Sequence, residues 1–398
     1  MEMGDRIAAY RKRRGLSQEA LAGLIGMSRS WLSQVERGIR KVDRLSTLTN
    51  LAAVLRVDVA ELVGRDWRLS RSDSTQVDAI ESIRKALSSY SSLLEEAPSS
   101  IWPLPQLRSA VVEAHRANKA AKYQAASAML PDILRVVDAY GSHPAADARE
   151  VHLTRCFAYA AAAKLLIKIG ESHLGWLAAD RAAHAAQAAD SRTGQAVAAY
   201  EIACALLRAG HNDDAERIAV DSAERLMPHV RSDLPDHISL AGLLWLLSAV
   251  IAARRSDRAE AQARLATAER LGELLGHDGN HAWTAFGPTN VLIHRGSVAA
   301  ELGDPYSVLA TASLIDPEAL PRELKGRRSQ IHIDLAWAQV QARNDAEATL
   351  HLLQAERIAP EALRYSALVR EMVRELVKRA RRPLPGLHTL AARAGVLE

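Results

Sequence analysis

The chain has 398 residues, of which 48% are hydrophobic and only 4% aromatic, and its 51 Lys and Arg face 47 Asp and Glu. That length suits two or three domains, and two cysteines, Cys156 and Cys204, are too few for a disulfide framework or a cysteine-built metal centre. No signal peptide opens the charged stretch Met1 to Arg14 and no apolar run is expected to reach the ~18 residues of a membrane span, so the sequence predicts a cytoplasmic protein with no membrane partner.

The positive charge is uneven. Residues 1–65 hold 12 Lys and Arg against 7 Asp and Glu, while residues 66–398 hold 39 against 40. Within the basic segment, LSQEALAGLIGMSRSWLSQVERG (residues 16–38) spells two short amphipathic helices and a tight turn. Ser17 is a good N-cap for the first, because its hydroxyl can accept from an orphan backbone N–H. Leu21, Ala22 and Ile25 share one face. Gly26 supplies the left-handed stop. Ser28 caps the second helix, which turns Leu32 and Val35 inward and Arg29, Ser30, Ser33 and Gln34 outward. A short second helix with an apolar inner face and a polar outer face has the geometry of a helix-turn-helix reader.

From about Met3 to Leu62 the chain resembles the Xre (Cro/C1-type phage repressor) helix-turn-helix family, through LSQEALA, the Gly26 turn and the VERG ending. The resemblance implies five helices, near 3–14, 17–25, 28–36, 44–55 and 58–63, with 28–36 as recognition helix. It implies base contacts from Arg29, Ser30, Ser33 and Gln34, a phosphate contact from Gln18, and a mostly buried salt bridge between Arg11 and Glu36. Trp31 departs from the small polar residue usual at its position. Arg13, Arg14, Arg37, Arg40, Lys41 and Arg44 flank the two helices, where basic side chains neutralise phosphates.

Residues 64–76 (GRDWRLSRSDSTQ) are polar and aperiodic and read as a linker. Helical spacing returns from Val77 to Glu96 through Val77, Ile80, Ile83, Leu87 and Leu94, in a connecting helix. Three prolines in 97–105 exclude helix there, and Trp102 is expected to pack on the start of the next domain. From Gln106 to Arg382 almost everything reads as helix, in pairs with short polar joints at 169–171, 209–211, 255–257 and 343–345. The second members, 174–190, 212–228, 257–274 and 344–360, place small residues at helical intervals and resemble tetratricopeptide repeats, with a longer repeat length. Helices this rich in Ala bury little area each, so stacking is the expected source of stability. Arg364 to Arg382 reads as a basic last helix that caps the array.

Residues 279–304 (GNHAWTAFGPTNVLIHRGSVAAELGD) break the pattern. Pro288 suits the first turn of a helix, which then aligns Asn290, His294, Ser297 and Glu301 beside Trp283 and Phe286. A polar stripe next to aromatics suits a concave ligand surface, and it equally suits a capped helix with a satisfied polar interior. The segment is also similar to ones in bacterial regulators that join an Xre domain to a tetratricopeptide-like domain. His277, Asp278 and His281 are too few to predict a metal site, and Arg155 with Tyr159 reads as repeat packing or groove lining. No phosphate loop, dinucleotide fingerprint or nucleophile elbow occurs, so no enzyme and no cofactor is predicted.

The expected fold is therefore all-α: a five-helix Cro/C1-type helix-turn-helix domain (1–65), a linker and connecting helix (66–103), a tetratricopeptide-like α-solenoid of about six pairs (104–382) and a tail (383–398). The expected function is transcription regulation by a homodimer on double-stranded palindromic DNA. The solenoid is read as sensor and dimer platform, binding a small-molecule or peptide effector at Trp283, Phe286, Asn290 and His294. A scaffold or antitoxin-like protein whose solenoid binds a protein partner is the alternative.

Overall fold

The computed structural model describes residues 3–14, 16–40, 42, 45–55, 57, 62, 74–89, 102–140, 147–316, 320–380 and 386–396. Every regular element among them is helix, and the chain divides into two compact units, Met1–Val77 and Asp78–Glu398.

In the first unit, α1 (Met3–Arg13), α2 (Gln18–Leu24), α3 (Arg29–Glu36) and α4 (Leu45–Leu55) surround Ile7, Leu21, Leu32, Val35, Leu51, Leu55 and Leu62. The expected fifth helix, 58–63, lies outside the described residues except for Leu62, which is fully buried. Gly4 lets α1 approach α3 closely: a Cβ there would stand 2.3 Å from the Val35 carbonyl oxygen. Gly26 has φ +69°, and the Met27 N–H reaches back to the Ala22 carbonyl at 2.8 Å, which ends α2 in a left-handed cap.

Helix α5 (Ser74–Leu87) begins before the boundary of the second unit, and its Ile83, Ala86 and Leu87 are buried in the same core of that unit as Leu107 and Val111. Then α6 (Leu104–Lys119) pairs with α7 (Tyr123–Ala139), α8 (Ala148–Ile169) with α9 (Ser172–Ala188), and α10 (Arg192–Arg208) with α11 (Asn212–Leu226). Next, α12 (Pro235–Arg254) pairs with α13 (Arg258–Leu275), α14 (Pro288–Glu301) with α15 (Pro305–Ala312), and α16 (Lys325–Gln341) with α17 (Asp345–Ile358). The first helices of successive pairs also touch one another, which is the stacking of an α-solenoid. The last of them, α16, returns to the first, α6. At this seam the Gly326 backbone comes close to the Lys119 carbonyl, the Gln124 N–H donates to the Glu361 carboxylate at 2.8 Å, and the Tyr123 and Tyr365 rings lie 6.0 Å apart. Small side chains permit this stacking: Ala160 to Ala163 on α8 are all fully buried.

The six joints inside the pairs share one geometry. Ala121, Gly170, Gly210, Ser256, Gly303 and Arg343 each take positive φ, and the next residue's N–H bonds the carbonyl five residues back at 2.8–3.0 Å. This is the Schellman cap, which satisfies carbonyls that the helix end leaves orphaned.

Three expectations need correction. Helix α6 starts at Leu104, inside the proline-bearing stretch, because Pro105 occupies its first turn, where a missing N–H leaves nothing unpaired. Trp102 contributes its carbonyl to the Tyr140 hydroxyl. Helix α12 is long and apolar enough by composition to cross a membrane, with a mean hydropathy of 1.7. Its apolar character serves another purpose, because it sits between neighbouring repeats and 78% of that window is buried. The basic end of the chain is not one helix: α18 (Pro360–Tyr365), α19 (Ala367–Arg379) and α20 (Leu387–Arg393) follow, and α20 buries Leu387, Leu390 and Ala391 against α19.

Candidate nucleic-acid interface and inner repeat face

Helix α3 is set by its own caps and its neighbours. The Ser28 hydroxyl accepts from the Trp31 N–H at 3.1 Å, and the Ser17 hydroxyl accepts from the Ala20 N–H at 3.0 Å. Leu32 and Val35 are buried, so Arg29, Ser30 and Gln34 are left exposed and Ser33 half-exposed. Arg37 and Arg40 continue the exposed side past the helix end, and none of Arg29, Arg37 and Arg40 has an ion-pair partner among the described residues. Lys41 and Arg44 lie outside the described residues. Trp31 is half-buried and packs at the edge of the core.

The Arg11 guanidinium grips Glu36 through both of its oxygens, at 2.6 and 2.9 Å, and also donates to the Leu16 carbonyl. Burial disfavours the charge on Glu36, but the bonds from Arg11 and from Gln18 outweigh it and hold the carboxylate below its usual pKa. The Gln18 contact is a finding the sequence did not suggest. Its amide donates to Glu36 at 2.8 Å, which ties the start of α2 to the end of α3 and leaves one amide hydrogen for another acceptor.

Residues 2–63 match the helix-turn-helix domain family. They form a helix-turn-helix domain. Over 95 residues the chain is 36% identical to the immunity repressor protein of Bacillus phage phi105, an alignment covering 22% of this chain and 65% of that protein. It is 36% identical over 76 residues to the HTH-type transcriptional regulator SinR of Bacillus licheniformis, covering 19% and 63%. The chain thus spans less than two thirds of either relative. A structure of Bacillus thuringiensis PlcR in complex with the peptide PapR7 and DNA aligns over 87% of this chain and 98% of its own, at 13% identity and a TM-score of 0.35.

In the second unit, the irregular segment before α14 is held by specific contacts. Trp283 stacks on His115, with ring centroids 4.0 Å apart, and meets Phe157 edge-on at 4.7 Å. Its carbonyl accepts from the Lys164 ammonium at 3.3 Å. Ala282, Trp283 and Ala285 all have positive φ, which strains a non-glycine backbone. Phe286 is fully buried with its ring over Gly242, and offers no surface. Asp278 accepts from the Thr289 N–H at 3.0 Å and so caps α14, while His277 and His281 face each other at 3.3 Å.

Asn290 is wholly buried, and both polar atoms of its amide lack a partner among the described residues. One turn on, buried His294 bonds the Asn290 carbonyl through Nδ1, and burial lowers its pKa to about 3. Ser297 bonds Asp334, and Glu301 pairs with Arg254, so the far half of the stripe is committed to packing. Arg155 and Tyr159 both bond Asp138 or its backbone, which joins α8 to the end of α7. The sequence reading missed the buried pair of Lys164 with Glu201, at 3.2 Å. The available signal was Lys164 between the apolar runs AYAAAA and LLI.

Proposed function

We propose that the chain is a sequence-specific DNA-binding transcription regulator, acting in the cytoplasm as a dimer on a two-fold operator, with the solenoid as effector-sensing part. The observation that carries this reading is the capped outer face of α3: Arg29, Ser30 and Gln34 are exposed and Ser33 half-exposed, with exposed Arg37 and Arg40, which have no ion-pair partner among the described residues, beside them. The similarity to an immunity repressor and to a transcriptional regulator supports it. A helix-turn-helix dimer binds half-sites about one turn, roughly 34–36 Å, apart. In this reading Arg29 and Gln34 discriminate bases, and Arg37, Arg40, Lys41 and Arg44 hold phosphates. An effector switches the regulator by favouring one dimer geometry over another.

The experiment is selection of bound fragments from the source genome, followed by gel shift at two salt concentrations. A shared palindromic sequence bound at the higher salt supports the reading. Binding that loses all sequence preference and disappears with salt rejects it.

A further inference from the structure

The inner helices of the second unit bring cations together in a way that packing does not require. Lys119 ends α6, Lys164 and Lys168 lie one turn apart at the end of α8, and Arg208 ends α10. Cations suit helix C-termini, so Lys119, Lys168 and Arg208 have a local explanation, and Lys164 is paired with Glu201. Arg327 does not: it lies in the first turn of α16, where the helix dipole disfavours positive charge. The seam between α6 and α16 sets it among the others, since the adjacent Gly326 backbone approaches the Lys119 carbonyl.

Arg327 acts on groups from several helices. Its charge, after burial, helps to lower the pKa values of Lys168 and His294, and after burial and Lys164 that of Lys119; it also opposes the rise at Tyr123 and Tyr200. Of the five cations only Lys164 has a carboxylate within ion-pair distance, buried Glu201. Lys119, Lys168, Arg208 and Arg327 have none among the described residues, and all four are reached by solvent. Nearby acids do not balance them. Glu361 accepts from the Gln124 backbone, and burial raises the Asp334 pKa to about 7.

We propose that this inner face is the effector site, and that it binds a small organic anion bearing a phosphate ester through Lys119, Lys168, Arg208 and Arg327. The assignment deepens the effector reading above and rests on it for any consequence at DNA. A monocarboxylate would neutralise one cation of four, whereas a phosphoryl group brings up to two charges and three acceptor oxygens to a compact volume.

The test uses the full chain without DNA and inorganic pyrophosphate as probe, at constant ionic strength, read by calorimetry and thermal melting. Lys168→Ala and Arg208→Ala, both at exposed positions, each weaken pyrophosphate binding at least tenfold, and each raises the melting temperature of the ligand-free chain by relieving repulsion. Arg40→Ala, in the helix-turn-helix domain, leaves pyrophosphate binding within twofold. Because its crowded surroundings on the inner face, together with Arg327 and Arg208, bring solvent-reached Lys168 down to about 8, wild-type affinity falls between pH 7 and pH 9, although pyrophosphate itself gains charge over that interval. Lys168 faces Arg327, Arg208, Cys204 and Glu201, with Lys119 and His294 in range, and Lys168→Arg keeps the binding while flattening the pH response. Pyrophosphate binding that is unchanged in Lys168→Ala and Arg208→Ala, or lost in Arg40→Ala, overturns the proposal. A gel shift with the same variants tests the DNA reading separately.

Discussion

Gly242 lies under the ring of Phe286, and a Cβ built on it would stand 2.1 Å from the ring's far carbon. The ring is fully buried and has nowhere to move, so Gly242→Ala should cost at least about 1–3 kcal/mol through overpacking. Chemical denaturation measures this, and an unchanged midpoint would mean the ring yields freely. Ser256 is the opposite case. It is exposed, has φ +62°, and its side chain makes no bond among the described residues. Ser256→Gly should stabilise by about 0.5–1 kcal/mol, as left-handed strain outweighs the entropy of glycine, and a lowered midpoint would contradict that. These two residues mark where the sequence was readable. Gly26, Gly170 and Gly210 announced turns because glycine is the usual left-handed residue. Ser256 and Arg343 take the same conformation in joints that only polar residues announced, and Ala121 takes it with neither signal.

Helix α3 was legible because caps and periodicity are local: Ser28, Leu32 and Val35 fix its start and its inner face. On the proposed reading, Gln34→Ala should change the order of preference among operator variants, at about 1–3 kcal/mol for a good bidentate pair. Arg40→Ala should weaken all sequences alike and lower the salt slope by about one. Gel shifts over an operator panel and a salt series separate the two, and identical relative affinities would remove Gln34 from the reading set. Helix α14 was only half legible. Its polar stripe was visible, but the partners of Ser297 and Glu301 lie on α16 and α12, and no local pattern names them. Buried His294 has its pKa lowered to about 3, so the folded chain refuses a proton that the unfolded chain accepts near 6.5. Its contribution is complete above pH 6.5 and is lost as pH falls towards 3, about 2 kcal/mol by pH 5. Burial acts on His115 in the same sense, whereas Asp334, raised to about 7, acts in the opposite sense. Comparing wild type with His294→Gln isolates the effect: the variant should lose less stability between pH 7 and pH 5, and an equal loss would refute it.

At the scale of the whole chain, repeat architecture could be read from Ala-rich pairs and polar joints, each a short-range signal. The convergence of Lys119, Lys168, Arg208 and Arg327 could not, because it depends on superhelical curvature, which sums small rotations over many joints. The seam has a further consequence, for the order of assembly. Its contacts join Tyr123 to Tyr365 and Gln124 to Glu361 across more than half of the chain, whereas the paired and stacked helices otherwise touch their neighbours and only the Trp283 turn reaches back over several repeats to His115 and Phe157 among the described residues. Contacts of such long range form late, after the intervening repeats have stiffened and loop closure has become inexpensive. Being last to form and few, they should also be first to open. In native-state hydrogen exchange, amides near Tyr123 and Gln124 should then exchange through a smaller opening than those of Ala160 to Ala163. Protection that is uniform from α7 through α8 would instead mean that the seam opens only with the whole unit.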